Sequence, residues 1–123
     1  MTATQQLRQR VQDLQDYIAQ GRVMEAMDEF YAEEVSMQEN LDAPTVGRAA
    51  NIEREKEFLA NVKEWKRFEV KSIGIDGDIA LVESISEFVT QDGTNVHSEQ
   101  VSRSVWKDGK IVDERFYHQG YGD

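Results

Sequence analysis

The chain has no cysteine and a single proline, Pro44, among its 123 residues. Without cysteine there is no disulfide scaffold, no thiolate nucleophile and no cysteine-ligated zinc. Any chemistry must therefore come from carboxylates, histidine, tyrosine, arginine or hydroxyls. Basic side chains are also scarce: 14 Lys and Arg face 24 Asp and Glu, a net charge of −10. That balance repels phosphate backbones and anionic lipid, which excludes nucleic acid and membrane surfaces as natural partners. No stretch approaches the roughly 20 consecutive apolar residues of a membrane-spanning helix. The N-terminal "MTATQQLRQRVQDLQDY" is amphipathic rather than a hydrophobic signal core, so a soluble cytoplasmic protein is expected.

What is present is periodic. Hydrophobic residues make up 39% of the chain, charged residues 31%, and the apolar ones recur at regular spacings that disordered segments lack. The length suits one domain, taken as residues 1–123. Leu7, Val11, Leu14 and Ile18 are spaced four, three and four, a helical stripe, and Gly21 follows where that helix should stop. "VMEAMDEFYAEEV" sets Met24, Met27, Phe30 and Tyr31 on one side and acids on the other, predicting a second amphipathic helix. "VSMQEN" alternates as a short strand and runs into the loop that holds Pro44. A third helix is expected over "RAANIEREKEFLANVKEW" after Gly47, capped by either Thr45 or Asn51.

From there the period changes to two. "RFEVKSIGI", "IALVESISEFVT", "VHSEQVSRSVW" and "KIVDERFYH" are separated by "DGD", "QDGTN" and "KDG", which are hairpin turn signals. Three helices and five strands in this order predict an α+β fold, with the helices gathered on one face of a curved, largely antiparallel sheet.

"YIAQGRVMEAMDEFYAEEVSMQEN", "PTVGRAANIEREKEFLANV" and the closing "VWKDGKIVDERFYH" together resemble the nuclear transport factor 2-like superfamily, in particular its SnoaL-like branch. The resemblance spans nearly the whole chain. It implies a cone-shaped α+β barrel with a pocket open at one end, and a homodimer formed through the outer sheet face. It speaks to fold with more force than to activity, because the superfamily includes ketosteroid isomerases, polyketide cyclases, dehydratases and pocketed proteins with no assigned reaction. By the same resemblance Tyr17 falls where the isomerases carry an oxyanion-hole tyrosine, and Glu39 where they carry the carboxylate base. Their protonated aspartate corresponds to Ser102, a departure that argues against ketosteroid isomerase activity. The acid/base pair of the SnoaL-like cyclases has its nearest candidates in Glu114 and His118.

Weighed on their own residues, the candidates divide as follows. Glu39 shares a strand face with Val35 and Met37; if that face points inward its carboxylate is desolvated towards general-base range, and if the strand end frays it is solvated or paired to an arginine. His118 can meet Glu39 or Tyr17 across a pocket, which suits proton transfer near neutral pH, or serve as a structural histidine near the C-terminus. Tyr17 reads equally as a core tyrosine beside Leu14 and Ile18. His97, beside a turn, reads as surface.

The final strand mixes apolar and ionisable residues on both faces. Glu114, Phe116 and His118 are assigned to the pocket, and Asp113, Arg115 and Tyr117 to a partner chain or solvent. Ser84, Ser86, Ser102 and Ser104 share one parity with Phe88 and Trp106, and small hydroxylated residues on a concave face leave room for a ligand. The other parity carries Leu81, Ile85, Val101 and Val105 with Glu83, Glu87, Glu99 and Arg103, suited to a dimer face. Alternation does not tell which parity points inward.

Glu39, Glu114 and His118 are the only groups suggestive of metal ligation, yet they lack a recognised histidine spacing, so neither metal nor cofactor is called for. The expected function is binding of a small, mainly apolar molecule. Glu39 would act as base and Tyr17 and His118 as donors or acid in an isomerisation, cyclisation or dehydration. A catalytically silent ligand-binding or dimerisation module is the alternative.

Overall fold

The computed structural model describes residues 1–119. Helix α1 spans Ala3–Ala19 and opens on a reciprocal cap, in which the Thr2 hydroxyl accepts from the Gln5 backbone and the Gln5 side chain accepts from the Thr2 backbone. It is followed by α2 (Val23–Phe30), β1 (Tyr31–Glu39), a two-residue β2 (Thr45–Val46), α3 (Arg48–Ala60), β3 (Val62–Asp76), β4 (Ile79–Thr90), β5 (Asn95–Lys107) and β6 (Lys110–His118). The strands form one sheet in the order β2-β1-β6-β5-β4-β3, parallel only where β1 meets β6. The fold is α+β and cone-shaped, with three helices against a six-stranded mixed sheet. Register shifts in β1, β3 and β6 mark bulges that bend the sheet.

Three local readings change. The second helix ends at Phe30, and the "YAEEV" expected to continue it is strand. From Tyr31 on, the backbone pairs with β6, and Val35 and Met37 reach the core at 0% and 2% exposure. Sheet pairing and burial outweigh the helical preference of Ala32, Glu33 and Glu34. At the other end of the helical region α3 stops at Ala60, because Val62 to Trp65 pair with β4.

Neither expected residue caps α3. Gly47 does, at φ 100° and ψ 139°, a backbone conformation nearly confined to glycine. Asn51 lies fully buried in the first turn, where its Nδ2 donates to the carbonyls of Thr45 (3.0 Å) and Gly47 (2.9 Å) and ties the helix to β2. The "KDG" signal is realised as a two-residue hairpin with Asp108 and Gly109 both at positive φ, as a tight β5–β6 turn requires.

The core gathers Val11 and Leu14 of α1, Met27 and Phe30 of α2, Val35 and Met37 of β1, Val82 of β4, Trp106 of β5 and Ile111 of β6. The parity question is settled by burial. Ser84, Ser98, Ser102 and Ser104 lie on the covered face, whereas Leu81, Val101 and Tyr117 are exposed on the other. No helix among the described residues is long and apolar enough to cross a membrane.

Candidate functional site

Between the helices and the inner sheet face lies a cavity of about 900 Å³. Its floor follows from strand register: Ser84 is opposite Gln100, Ser86 opposite Ser98, Gln100 opposite His118 and Ser102 opposite Phe116. Because the pleat alternates, these residues present one continuous band to the cavity. Its roof comes from α1, α2 and α3. At one end Trp65, half exposed, meets Phe88 at 5.1 Å and Phe58 at 6.2 Å between ring centroids, forming an aromatic rim.

Glu39 and His118 come together here. Glu39 Oε2 lies 2.6 Å from His118 Nε2, and Glu39 Oε1 accepts from Arg54 Nη1 at 3.1 Å. The strand ends that carry them are held by Asn40, which takes a positive φ of 49°. Its backbone N–H donates to Phe116 O (2.8 Å), its side-chain oxygen accepts from the His118 backbone N–H (2.9 Å), and its carbonyl accepts from Arg115 Nε (2.9 Å). A short side chain that tolerates the left-handed region thus locks β1 to β6 where the pair is formed. The His118 side chain is only 4% exposed and that of Glu39 25%, so the carboxylate is the member that faces the cavity more openly.

Deeper in the cavity the Tyr31 hydroxyl donates to Glu114 Oε1 at 2.7 Å, both residues being buried. Burial, with the nearby carboxylates Glu55 and Glu39 adding to it, pushes Glu114 up to about 8, against the opposing pull of the Tyr31 hydrogen bond and Arg54. Burial and the neighbouring Glu114 hold the Tyr31 hydroxyl well above its ordinary value. Glu55 is also raised, by burial first and by Glu39, with Arg54 opposing; its Oε1 lies 3.9 Å from Arg54 Nη2.

Of the residues singled out from sequence, Glu39, His118, Glu114, Phe116, Ser102 and Phe88 line this cavity. Tyr17, Trp106 and Ser104 are not among its lining residues. The Tyr17 ring stands edge-on to Phe30 at 5.0 Å and beneath the Arg22 guanidinium at 4.0 Å. Trp106 donates from Nε1 to Ser104 Oγ at 2.9 Å and packs in the core, because the inner sheet face extends past the cavity to where the helices sit directly on it. His97 is exposed on the outer face, bridging Glu87 (3.2 Å) and Glu99 (3.0 Å).

Sequence reasoning missed Arg54, Glu55 and Tyr31. The first two share a helical face with Asn51 and Phe58, spaced three, one and three. That polar stripe points inward and was overshadowed by the apolar set Ile52, Leu59 and Val62. Tyr31 reads from sequence as part of the apolar side of the second helix, whereas it opens β1. Among the described residues no three of His, Cys, Asp and Glu are grouped to hold a metal ion.

The sequence model of the SnoaL-like domain matches residues 11–114. Similar solved structures include a protein from Mesorhizobium loti provisionally called a SnoaL-like polyketide cyclase. It is 21% identical, with 95% of this chain and 99% of that one covered and a TM-score of 0.80. Another provisionally called SnoaL-like polyketide cyclase, from Jannaschia sp. CCS1, is 15% identical over 97% of this chain and 90% of its own, with a TM-score of 0.83. A provisionally named isomerase from Bacillus subtilis is 14% identical over the same shares, with a TM-score of 0.81. No curated protein matches the chain by sequence. At these identities the structures attest the fold and not a reaction.

Proposed function

The chain belongs to the SnoaL-like domain family, and on that premise we propose that it binds a small, largely apolar molecule in the cavity and moves a proton on it. The observation that carries this reading is the Glu39–His118 contact of 2.6 Å at the wall of a 900 Å³ cavity. Glu39 is the group that meets the substrate and takes a proton from carbon. His118, behind it, exchanges that proton with the carboxylate, and Arg54 fixes the other carboxylate oxygen. Isomerisation, cyclisation and dehydration all begin with such a step. Tyr17 has no part in it.

In the same reading the chain is one cytoplasmic domain. The exposed Leu81, Val101 and Tyr117 of the outer sheet face, 43%, 38% and 42% accessible, cover a second copy.

The test needs no knowledge of the natural substrate. Small aryl ketones such as 2-tetralone are incubated with the protein in D2O, and exchange of the proton next to the carbonyl is followed by NMR. Catalysed exchange is expected, falling about 100-fold or more in Glu39→Gln while the protein stays folded. Binding without exchange, or equal exchange in the variant, would overturn the proton-transfer reading and leave a binding module.

A further inference from the structure

The step assigned to Glu39 and His118 uses one wall of the cavity and makes no use of its floor. The charged lining residues come from β1 and the loop after it, α3, β3 and β6, and none comes from β4 or β5. Those two strands present Ser84 and Ser86, and Ser98, Gln100 and Ser102. Register sets Ser84 against Gln100 and Ser86 against Ser98, with Ser102 one step further along β5. Neighbouring strands lie about 4.8 Å apart and alternate residues about 6.6 Å, so the five polar side chains form a lattice on one surface. Apolar Val82, Phe88 and Phe116 border it, and Leu14, Met27 and Leu59 line the helical roof.

Ser84, Ser98 and Ser102 are only 3%, 5% and 8% exposed, yet their hydroxyls, like the Ser86 hydroxyl and the Gln100 amide, make no hydrogen bond to any described residue. Nor are these groups sealed inside the protein, since the enclosed polar atoms without a partner belong to Asn51 and Arg54. The hydroxyls therefore open on the cavity. Ser104 gives the contrast. It follows Ser102 on the same face of β5 but lies past the end of the cavity, and there its Oγ accepts from Trp106 Nε1 at 2.9 Å and donates to Ala80 O at 3.5 Å. Where protein covers the sheet, protein satisfies the serine; where the cavity borders it, the hydroxyls are left to a ligand. Folding gains nothing from them, because a buried hydroxyl without a partner is a net cost.

Each serine hydroxyl and the Gln100 amide can both donate and accept. The ligand group that answers both is a hydroxyl, whereas a carbonyl or an ether engages the donors alone. Because the lattice is a surface, a ligand reaches two of its positions only with oxygens that project from one face of its skeleton. Saturated rings carry such oxygens; those of an aromatic ring lie in its plane and point to its rim. We propose that Ser84, Ser86, Ser98, Gln100 and Ser102 form a hydroxyl-reading floor, and that the ligand is a saturated ring compound with at least two hydroxyl groups on one face and its hydrocarbon face turned to the helices. This rests on the cavity being a small-molecule site, as read above, and adds the pattern of oxygens that the molecule carries.

The probes are two epimers of trans-fused decahydronaphthalene-2,7-diol, one with both hydroxyls on the same face of the rings and one with a hydroxyl on each, together with the mono-alcohol decahydronaphthalen-2-ol. Affinities are measured by equilibrium dialysis. The wild-type protein should bind the same-face epimer about fivefold or more tighter than the opposite-face epimer, the size of one further neutral hydrogen bond. The double variant Ser84→Ala with Ser98→Ala, which removes no hydrogen bond within the protein and so should melt as the wild type does, should bind the two epimers equally. Ser104→Ala, in the same row beyond the cavity, should keep the preference. Equal affinity for the epimers in the wild-type protein, or a preference that survives in the double variant, overturns the proposal, as does a protein that binds none of the three probes. Catalysed exchange of 2-tetralone without an epimer preference strikes the floor alone, whereas absence of exchange and of all binding strikes the small-molecule reading with it.

Discussion

Replacing Glu114 with glutamine should make the protein more stable, and increasingly so as the pH rises. In an unfolded chain a glutamate loses its proton near 4.5, whereas buried Glu114 keeps it to about 8. Below the lower value both states are protonated and the side chain adds no pH dependence. Between the two, unfolding releases a proton, so each step up in pH favours the unfolded chain; above about 8 both states are ionised and the loss is complete. The gap is 8 − 4.5, about 3.5 decades of proton affinity. At about 1.4 kcal/mol per decade that amounts to roughly 5 kcal/mol. Domains of this size are commonly stable by only about 5–15 kcal/mol, so the loss is a large share of the whole. Glutamine fills the same volume, accepts the Tyr31 hydroxyl and does not ionise. Urea melts of both proteins at several values from about pH 4 to about pH 9.5 should show a stability difference close to zero at the acid end, opening to several kcal/mol in favour of the variant. A difference that stays constant to within about 1 kcal/mol over that range would show that Glu114 ionises as it does in water, and would refute the reasoning from its burial.

Further outcomes follow from the same geometry. Gly47→Ala should destabilise the protein by about 1–3 kcal/mol through backbone strain at φ 100° alone, since an added Cβ meets nothing within 4 Å; calorimetric melting measures it. Asn51→Ala removes two buried hydrogen bonds to the Thr45 and Gly47 carbonyls and should cost about 1–3 kcal/mol, with amide exchange accelerating first in β2 and the start of α3. Of the two tryptophans Trp106 is 5% exposed and Trp65 49%, so filling the cavity should shift the emission of Trp65 alone. The ligand-induced change should disappear in Trp65→Phe and persist in Trp106→Phe.

Much of the architecture was legible in the chain because it rests on local periodicity. The stripe of Leu7, Val11, Leu14 and Ile18 gives α1 wherever the helix docks, and the Asp-Gly turns separate four strands whatever they pair with. Boundaries that depend on a partner were not legible. Tyr31 and Val62 enter strands early because β6 and β4 capture them, and nothing in "YAEEV" or "NVKEW" signals that capture. The cap of α3 shows the same limit, since Gly47 holds a conformation whose use appears only once β2 is paired with β1.

The site divides along that line. Alternation along β4, β5 and β6 determined which side chains share a face, and so placed Glu114, Phe116 and His118 together with Ser84, Ser86 and Ser102. Which face turned inward, and how far the cavity ran beneath the helices, was decided by packing, which seated Trp106 and Ser104 in the core and set Tyr17 against Phe30. The approach of Glu39 to His118, and of Tyr31 to Glu114, joins residues 79 and 83 positions apart. It exists because β1 lies parallel to β6, a long-range pairing that no local pattern encodes. Burial then did the rest: a carboxyl group that forms no ion pair keeps its proton only where tertiary structure has excluded water.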